Sequence, residues 1–233
     1  MIFFDTLHIL VYFISVLLVF IFVPLNSKYM ASIGNIGKDM NKKEKPEVSE
    51  MGGIAVLLSC SVSMLLLYFV EKPDNDILFF IMTFILVGIV GIEDGVYNYR
   101  RRILGRQKIL YRQFLKTVFI LLASIPLIYS RSGSSVIVFY NIDYDFGIYY
   151  WLILVPIGIS AASNCTNLLA GMNGLEIGLG VISYIFVSYK LYILDSFLFP
   201  FSLIVLLAFS SFLWFNKYPA KAFPGDVGTL PIG

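Results

Sequence analysis

Charge, cysteine and histidine are all scarce in this chain, and each scarcity excludes a class of protein. Only 14% of its 233 residues are Asp, Glu, Lys or Arg, against roughly 25% in a soluble domain. So little charge cannot cover a water-facing surface. With 58% hydrophobic residues and a mean hydropathy of +0.84, the chain reads as an all-α, polytopic helical membrane protein. Cys60 and Cys165 are its two cysteines; both lie in or beside apolar runs, which argues against a disulfide framework. One histidine, His8, excludes a His-rich metal site or a Ser-His-Asp triad, and we read it as an interfacial side chain. No G-x-x-x-x-G-K-[ST] loop occurs, so a P-loop nucleotide site is absent. The first apolar run lacks a basic flank and a small-residue cleavage site, so it is expected to stay as a helix. No soluble domain, low-complexity tract or short repeat is visible, and nothing points to nucleic acid as a partner. A single multi-pass domain over 1–233 is expected.

What is present is a set of apolar runs. Seven crossings are predicted, at 7–24, 52–70, 77–92, 114–129, 146–161, 177–194 and 197–215. Lys190 falls near the end of the sixth, where a long stem can snorkel. Orientation follows from Lys and Arg. Alternate connecting segments, 26–51, 93–116 and the tail after Phe215, hold 14 of the 17 basic residues. The other side holds Lys72, Arg131 and Lys190 among several acids. This alternation predicts an amino terminus outside (or luminal) and basic segments in the cytosol. It also places Asn164-Cys165-Thr166 on the cytosolic side, where this formal glycosylation sequon would not be used.

Four segments of unusual chemistry then share the cytosolic face: GKDMNKKEKPEVSEMGG from Gly37, GIEDGVYNYRRRILGRQK from Gly91, NCTNLLAGMNGLEIG from Asn164, and FNKYPAKAFPGDVGTLPIG from Phe215. Glu93 and Asp94 close an apolar run. An ionised carboxylate in the centre of a membrane helix costs ~2.5–3.5 kcal/mol, less near the edge. Two adjacent acids also repel, so a cation or base must offset them. On residue chemistry alone, an ordinary helix end facing headgroups fits them as well, and an anchor on anionic lipid fits Arg100–Arg102. Asp226, in Pro-Gly-Asp-Val-Gly, could cap a helix or ligate a hard cation such as Mg²⁺, with the Asn167 amide as a second oxygen donor. The spacing of Gly174 and Gly178 suits close helix packing. Packing does not explain Asn164, Asn167 and Asn173 within ten residues; amides in hydrocarbon need partners, which a polar ligand or a water-filled cavity would supply. A shared site requires Asp94, Asn167 and Asp226 to meet.

Taken in order, these four segments resemble the polyprenyl-phosphate N-acetylhexosamine-1-phosphate transferase family. The similarity is greatest to the branch that makes dolichyl-diphospho-GlcNAc from UDP-GlcNAc, the first step of lipid-linked oligosaccharide assembly for N-glycosylation. Asn164-Cys-Thr-Asn167-Leu-Leu-Ala170-Gly171-Met-Asn173-Gly-Leu-Glu176 resembles that branch almost residue by residue. The bacterial peptidoglycan branch usually has Asp in place of Ala170 and Asn173. The resemblance implies that Asp226 and Asn167 hold Mg²⁺ (with Mn²⁺ as a substitute) against the diphosphate. It implies that Gly171, Asn173 and Phe223 bind the uridine end and that Lys108 contacts the diphosphate. Glu93 and Asp94 take the place of an acidic pair near the acceptor phosphate. The family pair is usually Asp-Asp, so Glu93 is a departure. Family members also continue with further helices and a late cytosolic loop, so a chain ending at Gly233 is expected to be truncated, and an inactive truncated member is one alternative.

The reaction implied is attack of the acceptor phosphate on the β-phosphorus of UDP-GlcNAc, releasing UMP, with UDP-GlcNAc, dolichyl or a related polyprenyl phosphate, and the bilayer as partners. Direct attack is favoured over an aspartyl intermediate. A homodimer is compatible with the sequence. The membrane would be the endoplasmic reticulum in a eukaryote and the plasma membrane in a prokaryote. The same chemistry with another UDP-sugar or a bacterial acceptor is the nearest rival. A transporter is more distant, because the polar residues cluster at one face rather than mid-membrane.

Overall fold

A computed structural model describes residues 5–39, 42–104 and 109–233. The chain is built from helices α1 (Thr6–Ser32), α2 (Gly53–Glu71), α3 (Asn75–Leu104), α4 (Ile109–Ala123), α5 (Ile125–Ser130), α6 (Val155–Leu168), α7 (Leu175–Ile193), α8 (Phe199–Asn216) and α9 (Asp226–Ile232). Two small antiparallel hairpins complete it: β1 (Ile36–Lys38) with β2 (Glu47–Ser49), and β3 (Val136–Phe139) with β4 (Ile142–Asp145). Among the described residues, seven helical segments are long and apolar enough to cross a bilayer.

Helices α1, α2 and α8 pack against one another and form the centre of the core. Val19, Val23, Met64, Leu67, Phe209 and Phe212 are fully buried there. Elsewhere large apolar side chains point outward, among them Phe13, Phe69, Phe114, Phe186 and Ile182. Such a surface suits hydrocarbon, because each helix already satisfies its own backbone. Pro24 lies inside α1, and membrane helices tolerate this interruption.

The helix edges depart from the sequence-based spans in informative ways. Helix α3 runs on to Leu104, so Glu93 and Asp94 lie within a helix instead of closing one. The reason is local: no proline follows the apolar run before residue 104, the single Gly95 is tolerated inside the helix, and Arg100 to Leu104 are good helix formers. The fourth crossing is two helices, α4 and α5, broken at Ser124 just before Pro126. The fifth is displaced to Tyr150–Leu168, opening on a π-helical turn over Tyr150–Leu154. Asn164 and Asn167 therefore sit on the last turns of α6. Gly174 has a left-handed backbone (φ +80°) and starts α7, while Gly178 meets no neighbour. The close packing expected at Gly178 falls at Gly180, where a Cβ would lie 2.2 Å from Ile232.

The short α9 organises one end of the bundle. It packs against α2, α3, α6 and α7, and Val227 to Ile232 are all buried. Two glycines admit it. A Cβ on Gly53 would stand 2.3 Å from the Gly228 nitrogen, and one on Gly91 would stand 2.5 Å from Val227 Cα. The preceding strand-like segment is pinned by backbone: Gly52 N–H donates to Phe223 O (2.8 Å), Gly53 N–H to Pro224 O (3.0 Å), and Phe223 N–H to Ser49 O (2.8 Å). The segments around Gly52, Gly91, Asn173 and Pro224 thus share one end of the bundle.

Candidate active site

Asp94 is buried on α3, at 4% exposure. Both of its oxygens are engaged: Arg112 Nε donates to Oδ1 (2.8 Å) and Asn98 Nδ2 to Oδ2 (2.8 Å). Arg112 also pairs with Glu93, whose side chain is half exposed, and lies over the Tyr97 ring at 4.5 Å. The adjacent acids on α3 are therefore clamped by one guanidinium from α4. Arginine suits this place because its fork engages two carboxylates while remaining charged.

Asp226, the first residue of α9, faces Asp94, and the two carboxyl groups interact directly. Lys116 Nζ donates to Asp226 Oδ2 at 3.0 Å. Burial works to raise the Asp226 carboxyl, but the hydrogen bond with Asp94 and the charge of Lys116 outweigh it and hold Asp226 below the ordinary carboxylate range. Arg112 and Lys116 are four residues apart, so they project from the same face of α4 onto this cluster.

Asn167 completes the group. Its amide lies against Asp226, yet its nitrogen is buried without a well-formed hydrogen bond. Two facing carboxyl groups and an incompletely satisfied amide make an oxygen-rich donor set. Such a set fits a hard divalent cation, with the Lys116 ammonium occupying part of that electrostatic role in the chain itself.

Beside the cluster opens a cleft of about 390 Å³. Asn167, Gly171, Asn173, Phe223 and Asp226 line it, together with Asp39 and Glu176. Asn173 Nδ2 donates to Asp39 Oδ2 at 2.9 Å, and Lys42 Nζ reaches the same oxygen at 3.1 Å. Gly171 has φ +158° and no atom near where a Cβ would stand, so the loop leaves space for a bulky ligand. Asn216 ties the floor together: its side chain accepts from Gly174 N–H (3.1 Å) and donates to Ala222 O (3.1 Å). Behind the cleft, Arg102 bonds the Ile36 carbonyl, Asn35 and both oxygens of Glu50 at 2.6–3.0 Å. This fastens the β1–β2 hairpin to α3. A second, apolar groove of about 340 Å³ runs between α3 and α4, lined by Leu86, Val90, Phe119 and Leu122 with Glu93 at its edge.

The structure thus brings together Glu93, Asp94, Asn167 and Asp226, and places Gly171, Asn173 and Phe223 on the adjoining cleft. Lys108 lies outside the described residues. Sequence reasoning missed Asp39, Lys116 and Asn216, and it placed Arg112 only within a basic segment and Glu176 only at the end of a motif. Arg112 and Lys116 carried a signal: two cations one turn apart at the start of an apolar helix need partners. Asp39 and Asn216 carried none, because their roles exist only through residues far along the chain.

An integral membrane protein with a charged cleft at one end of its bundle and an apolar groove edged by Glu93 is the class these features define. The profile described as glycosyl transferase family 4 matches residues 77–233, and the chain belongs to that family. It is 36% identical over 208 residues to a protein of Saccharolobus solfataricus provisionally named UDP-N-acetylglucosamine–dolichyl-phosphate N-acetylglucosaminephosphotransferase, covering 85% of this chain and 59% of that one. It is 40% identical over 200 residues to a provisionally named glycosyltransferase of Methanocaldococcus jannaschii, covering 84% of this chain and 56% of the relative. A phospho-N-acetylmuramoyl-pentapeptide-transferase of Staphylococcus haemolyticus is 29% identical over 233 residues, 94% of this chain and 71% of the relative. The chain spans less than two thirds of the length of the two archaeal relatives.

Proposed function

We propose that this chain carries the catalytic centre of an enzyme that transfers GlcNAc-1-phosphate from UDP-GlcNAc to dolichyl phosphate or a related polyprenyl phosphate, releasing UMP. The observation that carries this reading is the convergence of Asp94, Asp226, Asn167, Arg112 and Lys116 between a nucleotide-sized cleft and an apolar groove. A volume of about 390 Å³ falls within the roughly 300–1,000 Å³ of small-molecule sites.

In this reading the uridine end rests by Phe223 and Gly171. Asp39 orients the Asn173 amide through its nitrogen, leaving the carbonyl oxygen to meet a ligand N–H. The diphosphate then lies toward Lys116. Asp226 and Asn167, with Asp94 beside them, would hold Mg²⁺; bound there, it supplies charge neutralisation of the diphosphate and of the departing UMP. The polyprenyl tail follows the groove between α3 and α4, which brings its phosphate to Glu93 and Arg112. An acceptor phosphate oxygen forms a bond to the β-phosphorus as the bond from that phosphorus to the UMP oxygen breaks. The protein's work is to seat two anions that repel one another, and the Arg112 and Lys116 cations lower that repulsion.

Direct attack is preferred to an aspartyl intermediate, because both Asp94 oxygens already accept hydrogen bonds and neither is presented as a nucleophile. A cytosolic site and an external amino terminus follow from the charge alternation alone. The test is Mg²⁺-dependent release of UMP in membranes containing the full chain, UDP-GlcNAc and dolichyl phosphate, with other UDP-sugars as competitors. Release that is abolished in Asp226→Ala supports the reading. Equal release from wild type and Asp226→Ala, or wild type that fails to bind UDP-GlcNAc in the presence of Mg²⁺, overturns it.

A further inference from the structure

A second cluster lies at the opposite end of α2, roughly 27 Å away at 1.5 Å per residue over its 19 residues. Read from the sequence as an interfacial side chain, His8 is instead 4% exposed and held between two carboxylates from different helices. Asp5 Oδ1 caps α1 by accepting from His8 N–H (2.9 Å) and also meets His8 Nδ1 at 2.6 Å. On the other side of the ring, His8 Nε2 faces Glu71 Oε1, the last residue of α2, at 3.7 Å. Among the described residues these are the only three His, Cys, Asp or Glu side chains whose ligand atoms all fall within 4.8 Å of one another.

We propose that Asp5, His8 and Glu71 form a divalent transition-metal site, of the Zn²⁺ class, that fastens α1 to α2 at the end of the bundle remote from the cleft. The distances argue for it. A neutral imidazole that donates from Nδ1 to the Asp5 carboxylate, 2.6 Å away, turns its Nε2 lone pair toward the Glu71 carboxylate. Those two acceptors are too far apart for a hydrogen bond, and in that tautomer they have nothing to share. Zinc bonds of about 2.1 Å to nitrogen and oxygen, opened to a tetrahedral angle, place two ligand atoms about 3.4 Å apart. The observed gap is close to this and needs only a small closing. An Asp carboxylate on the far nitrogen of a metal-bound imidazole is the arrangement that fixes its tautomer and raises its basicity.

Tyr12 gives an independent sign. One helical turn after His8, its hydroxyl is buried without a hydrogen-bond partner, and its ring is 6.2 Å from the imidazole. A buried phenol left unsatisfied next to the imidazole suits a water on a bound ion. A mixed oxygen–nitrogen site needs one histidine only, so the scarcity of histidine does not exclude it.

The test uses the full chain, purified without a histidine tag, and titrated with Co²⁺ and then displaced with Zn²⁺. An intense visible d–d band saturating at one equivalent of Co²⁺ is expected, since an ion on the oxygen donors of the cleft absorbs only weakly. Affinity falls by tenfold or more in His8→Gln and in Glu71→Gln. Asp5→Asn keeps the helix cap but loses about 10–100-fold through the outer carboxylate. Cys165→Ser and Asp226→Asn leave the band unchanged, which separates this site from the exposed thiol and from the cleft. Absence of a band in folded wild type, or equal binding in His8→Gln and Glu71→Gln, overturns the proposal.

Discussion

Gly91→Ala tests how the cleft is set. Gly91 is where α3 touches the start of α9: an added Cβ would lie 2.5 Å from Val227 Cα and 2.6 Å from the Asp226 carbonyl oxygen and the Val227 nitrogen. All three are backbone atoms and cannot rotate away. Ordinary contact begins at 3.4 Å, so α9 must retreat by about 0.9 Å, and Asp226 moves with it. Overpacking of this kind costs about 1–3 kcal/mol, partly offset by the roughly 1 kcal/mol that alanine gains over glycine in a helix. The net loss of stability is therefore small. The effect on the site is not, since a 1 Å misplacement can cost about 10²-fold in rate. Gly88→Ala is the matched control, three residues earlier on the same helix. Its Cβ would meet Leu57 at 2.4 Å, but at the mobile end of a side chain. The assay is UMP release in membranes together with thermal unfolding in detergent, with and without UDP-GlcNAc and Mg²⁺. Gly91→Ala should keep most of its thermal stability, lose most stabilisation by the nucleotide sugar, and lose about 10²-fold in release, while Gly88→Ala changes release only a few-fold. Near wild-type release from Gly91→Ala would refute the reasoning, because Asp226 would then not be placed by this contact.

Other perturbations reach neighbouring parts of the same end. Lys116→Met removes the partner of Asp226 and should lower UMP release at least tenfold, with Lys116→Arg recovering part of it, because the cation is kept on a different geometry. Asp39→Ala frees the Asn173 amide; a charge-assisted hydrogen bond is worth about 1.5–3 kcal/mol, so KM for UDP-GlcNAc should rise about tenfold or more while kcat changes little. Arg102→Lys should lower the unfolding temperature and increase proteolysis of the 36–49 hairpin, because a lysine cannot hold Glu50 with two parallel bonds.

Composition makes the seven crossings legible because hydrocarbon demands long apolar runs whatever their partners are. The edges are less legible because polar residues can extend a helix beyond the hydrocarbon, as Glu93 to Leu104 do in α3. Part of the site was also readable. Asn164, Asn167 and Asn173 are too many amides for an apolar setting, and the adjacent acids on α3 needed an offsetting charge. What the sequence could not show is which cation answers which acid. Charge counting assigns Arg102, Arg112 and Lys116 to the basic side of the membrane. The fold turns Arg112 and Lys116 inward, onto Glu93 and Asp94 and onto Asp226, and sets the more exposed Arg102 against Glu50.

That double use has a physical basis. A cation that stays at a membrane surface is held by headgroups or water and can leave either. Arg112 and Lys116 instead sit against Asp94 and Asp226, so each is held by groups of fixed position. Two carboxyl groups as close as Asp94 and Asp226 repel unless cations offset them; Arg112 and Lys116 supply that charge, and the acids supply the cations with partners. Fixing them in advance is what a transfer between two anions requires, since donors already aimed need no reorganisation when charge shifts. The glycines at 53, 91 and 228 bring the backbones close enough for this arrangement to close around α9. A site of this kind is therefore specified as much by where side chains are absent as by the charges themselves.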